Sequence, residues 1–196
     1  MTIQQILKHH GYNCSRVVLP SGRLEFHTSQ SGAASVGFPM PTHTFHGGDE
    51  PVEASGNDPW WLEAGALDWD RAHMTRYFPG FVEISGSADL APAWFGRIET
   101  RVGKFEIAVI HRFNRSLPKV VPIKPKKRIR RRGRRLIDAP HMYTNGHLCV
   151  AATDDWDPAR DSVATVVAWA AHWHAFYVEW LFTGVWPSEG YVAEAA

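Results

Sequence analysis

Between Pro140 and Val150 the chain reads Pro140-His141-Met142-Tyr143-Thr144-Asn145-Gly146-His147-Leu148-Cys149-Val150. A cysteine stands just behind a glycine-containing loop and among polar side chains. Thiol chemistry needs a thiolate, and an unperturbed cysteine ionises only near pH of about 8.5. His141, His147 and the neighbouring basic residues are the groups able to tune it. In an extended chain His147, two residues before Cys149, points to the same face as the thiol, where an imidazole can act as base. Asn145 is the nearest amide able to donate to an oxyanion. The competing assignment for Cys149 is a small core residue, which is what most free cysteines are.

Upstream, Ala93 to Thr100 and Lys104 to Phe113 are apolar-rich runs flanking Arg101-Val102-Gly103, the pattern of a hairpin. Phe105, Ile107 and Val109 alternate with Glu106 and Ala108, the period of a half-buried strand. Lys119 to Ile123 is a third strand, and Pro118 and Pro122 put it at an edge. Downstream, Asp154, Asp155 and Asp157 follow the cysteine. Asp155 is a candidate to orient or deprotonate an incoming amine; the alternative is that Asp157 caps a helix and the others are solvated. Trp156-Asp157-Pro158 opens a helix expected to reach about Phe182, with Gly184 as its stop. Trp173, Phe176 and Trp180 lie on its apolar stripe and are expected in the core.

Nine of the twelve residues from Lys124 to Arg135 are Lys or Arg. The net charge is +1, so the remaining twelve basic residues face 20 acidic ones and the rest of the chain carries −8. Three uses stay open for the run: phosphate backbones, an acidic protein partner, or a solvated loop. It has no interleaved aromatics for base stacking, which counts against nucleic acid. In each case it is expected to be an exposed loop, because that many like charges resist burial.

The earlier part of the chain reads as a short helix over residues 2–9, two strands (Tyr12 to Leu19, Arg23 to His27) around Pro20-Ser21-Gly22, and a loop or linker from Ser29 to Pro59. A helix starting at Asp58-Pro59 is expected to run to Tyr77. The 196 residues, 44% of them hydrophobic, with nine Trp and ten Phe, supply a core for one domain plus an appendage. The order of elements is α+β. Two cysteines exclude a disulfide scaffold and an all-cysteine zinc site. No apolar run is long enough for a membrane span, and the N-terminus lacks the pattern of a signal peptide, so a cytoplasmic location is expected.

Taken together, the strand pair, the segment Phe113-Asn114-Arg115-Ser116-Leu117-Pro118-Lys119-Val120-Val121-Pro122, the block His141…Gly146-His147-Leu148-Cys149-Val150 and Trp156-Asp157-Pro158 before a long helix resemble the ubiquitin-conjugating enzymes. His141-Met142-Tyr143-Thr144-Asn145-Gly146-His147-Leu148-Cys149 and Thr183-Gly184-Val185-Trp186 resemble most the stand-alone bacterial branch found in CBASS antiphage operons beside a cGAS-like nucleotidyltransferase. The resemblance runs from about Leu67 to Gly190. It implies a conjugating-enzyme-like fold: an N-terminal helix, an antiparallel meander, an extended catalytic segment and a long C-terminal helix. The division it suggests is an N-terminal extension over residues 1–60, the conjugating-like domain over 61–190 and a tail over 191–196.

The function it implies is an acyl carrier with Cys149 as an exposed nucleophile. The donor would be the C-terminus of a ubiquitin-like protein or of the nucleotidyltransferase, and the acceptor a target lysine. An activating enzyme would supply the energised donor; no cofactor or membrane is implied. His141 matches the family's histidine, with loop-holding or catalysis as its roles. Met142 and Tyr143 stand where that family has Pro and Asn, so the usual oxyanion amide is missing. The alternative is a non-catalytic conjugating-like module that binds protein or nucleic acid through residues 124–135.

Overall fold

The computed structural model describes residues 12–30, 37–53, 58–126 and 128–191, and the helix expected over residues 2–9 lies outside them. Strands β1 (Tyr12–Val18) and β2 (Leu24–Gln30) form the expected antiparallel hairpin, and β3 (Phe38–Pro39) pairs with the other edge of β1. The stretch read as a linker instead enters the core: Phe38, Met40 and Phe45 are buried in one cluster with Val18. Three large apolar side chains spread over eight residues have no periodicity, because the chain crosses the core in largely irregular backbone, with only the two-residue strands β3 and β4 (His43–Thr44).

The helix expected from Pro59 to Tyr77 is two pieces. A single 3-10 turn covers Trp60–Leu62, and α1 runs over Asp68–Tyr77. The turn ends at Glu63, whose backbone is extended, and Gly65, at a left-handed φ of 79°, lies between it and α1. The turn is pinned by its indoles: Trp60 Nε1 donates to the Arg112 carbonyl at 3.0 Å and Trp61 Nε1 to the Ser87 carbonyl at 2.9 Å.

The meander is antiparallel throughout. β5 (Val82–Ile84), β6 (Ala93–Thr100), β7 (Gly103–Ile110) and β8 (Lys119–Lys124) lie in that order. The expected hairpin is in register from Ala93↔Ile110 to Thr100↔Gly103. Pro122 sits opposite Ile107 beside a register shift in β7, and β8 is the edge strand its prolines predict.

The basic run is a hairpin rather than a loop: β9 (Ile129–Arg132) pairs with β10 (Arg135–Asp138). Its base is not exposed. Arg128 is 1% exposed, with its guanidinium 4.9 Å from the Phe105 ring centre and Nη2 donating to His174 Nε2 at 3.1 Å. Arg130 Nε donates to the Leu181 carbonyl at 2.9 Å. A buried guanidinium is tolerated here because an imidazole lone pair, the Pro125 carbonyl and two aromatic faces replace much of its hydration. The tip, residues 131–138, is open to solvent, as are Lys124 and Lys126 where the run begins.

Helix α2 (Val163–Thr183) packs its buried Val166, Val167, Trp169, Ala170 and Trp173 into the core shared with Trp94, Ile98, Ile107 and Val109 of the sheet. Trp180 is buried and Phe176 half-buried, as their stripe predicts. The helix starts five residues later than the Asp157-Pro158 signal suggests. Asp157 caps a local turn, its Oδ1 accepting from the Ala159 amide at 2.9 Å. The helix is capped from a distance: Asp70 Oδ1, buried on α1, accepts from the Val163 amide at 2.7 Å. Gly184, φ 78°, ends it as expected. The last strand, β11 (Gly190–Tyr191), returns to pair with β4.

Candidate functional site around Cys149

The edge of the meander positions the cysteine. Leu148 donates its amide to the Val120 carbonyl on the free side of β8 at 2.9 Å, and Leu148 also bridges Met142. Residues 142–148 thus fold back on themselves, closed by the Gly146 amide to the Tyr143 carbonyl at 2.8 Å and the Tyr143 amide to the His147 carbonyl at 2.9 Å. The His141 carbonyl then takes two donors, the Cys149 amide at 3.0 Å and the Trp173 indole at 2.9 Å. Helix α2 therefore fixes the cysteine through one shared carbonyl. His141 itself sits at φ 55°, a conformation costly for a non-glycine residue and held here by these bonds.

Cys149 is 0% exposed, which corrects the expectation of an accessible thiol. The cover comes from the stretch that carried no local signal. Residues 44–53 lie over the 141–149 loop like a strap: Gly48 bridges Tyr143 in parallel, the Thr144 amide donates to the Gly48 carbonyl at 2.9 Å, and His141 Nδ1 donates to the His46 carbonyl at 2.7 Å. Acidic side chains tie it down. Glu50 Oε1 accepts from Arg112 Nη2 at 2.6 Å, and Oε2 accepts from Asn145 Nδ2 at 2.6 Å and from His147 Nδ1 at 2.9 Å. Asp49 accepts from Thr144 Oγ1 at 2.9 Å, and Glu53 accepts from Lys119 Nζ at 2.7 Å and from the Phe113 amide at 2.8 Å.

This cover sets the electrostatics. Burial pushes the Cys149 thiol up from its ordinary range; hydrogen bonds to its sulfur from the Tyr143 side chain and the His46 backbone oppose that, and the charge of Glu50 adds to it. The resting group is a neutral thiol at pH 7. Burial also raises the Tyr143 hydroxyl, with Cys149 as its hydrogen-bonded neighbour, so the phenol keeps its proton and is a donor. Burial works against Glu53 as well, but Lys119 and the Phe113 amide prevail and hold its carboxyl below the usual range.

Each candidate from the sequence has a definite place. His141 holds the loop: Nδ1 grips the strap and Nε2 lies 3.3 Å from Glu189 Oε2. Its ring packs 5.1 Å from that of Trp186, so the last residue of Thr183-Gly184-Val185-Trp186 walls the site. Asn145 and His147 lie together, both turned to Glu50. Asp155 stands apart: its Oδ2 accepts from the Thr44 amide at 2.7 Å and the Ala152 amide at 2.9 Å, fastening β4 to the turn after the cysteine. Tyr143, Glu50, Glu53, Arg112 and Lys119 were not singled out. Tyr143 lies in the block that decides the fold, but a tyrosine in place of the family's Asn carries no local signal of its contact with Cys149. The other four meet across more than sixty residues of sequence, and no local pattern signals such a pairing.

Three histidines outside the site, His43, His172 and His174, are buried in two hydrogen-bonded chains. Arg16 Nη1 lies 3.0 Å from His172 Nε2, His172 Nδ1 lies 2.9 Å from His43 Nε2, and His43 Nδ1 donates to the Pro41 carbonyl at 2.9 Å. His174 points the other way, to Arg128. Burial lowers His43 to about 4, His172 to about 2 and His174 to about 3, with Arg16, Arg128 and the paired imidazole contributing.

A family model described as Type II CBASS E2 protein matches residues 70–193, more than half of the chain and all of the 141–149 loop. The chain belongs to the type II CBASS E2 family. No curated protein and no solved structure matches it. A CBASS E2 protein is an E2-like component of an antiphage system, and the antiparallel meander with its C-terminal helix is the E2-like part of this chain. The strap over Cys149 comes from outside the matched stretch of this CBASS E2 protein. No helix among the described residues is long and apolar enough to cross a membrane.

Proposed function

We propose that this CBASS E2 protein carries an acyl group on Cys149 as a thioester and passes it to an amine. The observation that supports this most is the loop itself: a cysteine fixed through the shared His141 carbonyl, with a phenol donor, an amide and an imidazole on the same short segment. In the first step the Cys149 sulfur attacks the activated C-terminal carbonyl of the donor, the thiol proton leaves to a base, and the activating group departs. In the second a lysine amine attacks the thioester carbonyl, loses a proton, and expels the Cys149 thiolate as the amide forms. The Tyr143 hydroxyl stabilises the thiolate as nucleophile and as leaving group. His147 takes a proton in either step, and Asn145 Nδ2 donates to the tetrahedral oxyanion in place of the absent family amide. The donor is the C-terminus of a ubiquitin-like protein or of the cGAS-like nucleotidyltransferase, energised by an activating enzyme, and the acceptor is a target lysine.

The test is the covalent adduct formed with donor and activating enzyme. The wild type gives an adduct cleaved by reducing thiols, Cys149→Ser gives a thiol-resistant ester, Cys149→Ala gives none, and Cys14→Ala changes nothing. An adduct that survives Cys149→Ala and is lost in Cys14→Ala contradicts the assignment. The non-catalytic module has one observation in its favour, the fully covered thiol. It predicts no adduct even after the cover is loosened.

A further inference from the structure

The strap does more than hide a sulfur. Residues 44–53 occupy the polar groups of His141, Thr144, Asn145 and His147 around Cys149 at once. The His46 carbonyl takes the His141 Nδ1 proton, the Gly48 carbonyl takes the Thr144 amide, and Glu50 holds both the Asn145 amide and the His147 imidazole. Gly48 pairs with Tyr143 in a parallel bridge, so the groove is filled by polypeptide backbone. Resting on the thioester function proposed above, we propose that residues 44–53 stand in for the tail of the acyl donor, and that the segment displacing them is an extended peptide carrying carboxylates.

The requirement for acid follows from what the strap leaves behind. Arg112 is 5% exposed and its guanidinium donates to Glu50 Oε1, to the Pro51 carbonyl at 3.2 Å and to the Leu117 carbonyl at 2.8 Å. Two of those three partners belong to the strap, including its carboxylate. Lys119 loses Glu53 in the same movement. A buried guanidinium deprived of its anion is costly, so a neutral chain cannot replace the strap on equal terms. An acidic one restores the pairing. Two of the groove's other contacts are hydrogen bonds to backbone carbonyls, of His46 and Gly48, which suits a peptide rather than a sugar–phosphate chain.

Alkylation of Cys149 by iodoacetamide at pH 8, followed by peptide mapping to separate it from Cys14, reads the strap without any donor. The wild type should react slowly. Glu50→Gln/Glu53→Gln, which keeps shape and removes charge, should react at least tenfold faster with unchanged circular dichroism. If that variant does not fold, Lys119→Met cuts the Glu53 anchor from outside the strap and should act in the same direction. A synthetic peptide of residues 44–53 should restore protection to the loosened variant, while its Asp→Asn, Glu→Gln version should not. Alkylation at the wild-type rate in the loosened variant overturns the proposal. So does equal protection by the uncharged peptide, or protection by a ten-nucleotide oligothymidylate where the acidic peptide gives none. If the loosened thiol alkylates and the acidic peptide protects it, yet no acyl adduct forms with any donor, the thioester function fails and the strap stands.

Discussion

Cys149 rests as a neutral thiol because burial outweighs the hydrogen bonds that favour its thiolate, and Tyr143 is the strongest of those opposing bonds. Removing the phenol hydroxyl leaves the burial and takes away a donor. Tyr143→Phe should therefore move the pH profile of Cys149 alkylation to higher pH, with the protein still folded; a profile unmoved or shifted downward contradicts the contact. The residue scale is also where the sequence is least legible. His141, Asn145 and His147 are visible beside the cysteine in one block. Glu50 is not, because what makes it matter is a guanidinium at position 112 and a loop at 145–147, and neither distance along the chain nor residue type announces that meeting.

At the scale of elements, the meander and the long helix are legible because their burial has a period. Phe105, Ile107 and Val109 face one way, and the stripe of Trp173 and Trp180 returns at helical spacing. The helix start is not legible, since its cap, Asp70, lies ninety-three residues away on α1. The basic hairpin divides into a buried base and an open tip. Replacing Arg131, Arg132 and Arg134 by Ala should leave the melting temperature nearly unchanged. Arg128→Ala should cost about 1.5–3 kcal/mol, the range for hydrogen bonds to charged groups, measured by urea unfolding. Equal effects from base and tip contradict the division. Trp173→Ala removes both core volume and the indole bond to the His141 carbonyl. It should cost about 3–5 kcal/mol and loosen the cysteine loop together with the helix.

The whole molecule carries its pH dependence in buried imidazoles. His43, His172 and His174 are neutral when folded, with folded values near 4, 2 and 3 against 6.5 for the free side chain. Below pH 6.5 the unfolded chain binds protons that the folded chain refuses. Their stabilising effect is thus complete above that value and declines as pH falls toward 4, the folding constant dropping by up to about tenfold per unit for each histidine. The urea midpoint should fall steeply from pH 6.5 to 4.5, and His172→Gln should lessen the slope. A midpoint flat across that range contradicts neutral burial. The same cluster shows why the early chain resists reading: His43 and Phe45 join the core through partners about a hundred or more residues away, so composition alone presents them as linker.

The most direct measurement is the intact mass of the protein after incubation with donor and activating enzyme, before and after treatment with a reducing thiol. A mass increase of one donor, located on Cys149 and removed by the thiol, is the predicted result. A stable increase located elsewhere, or none in wild type and in Glu50→Gln/Glu53→Gln alike, contradicts acyl transfer through Cys149.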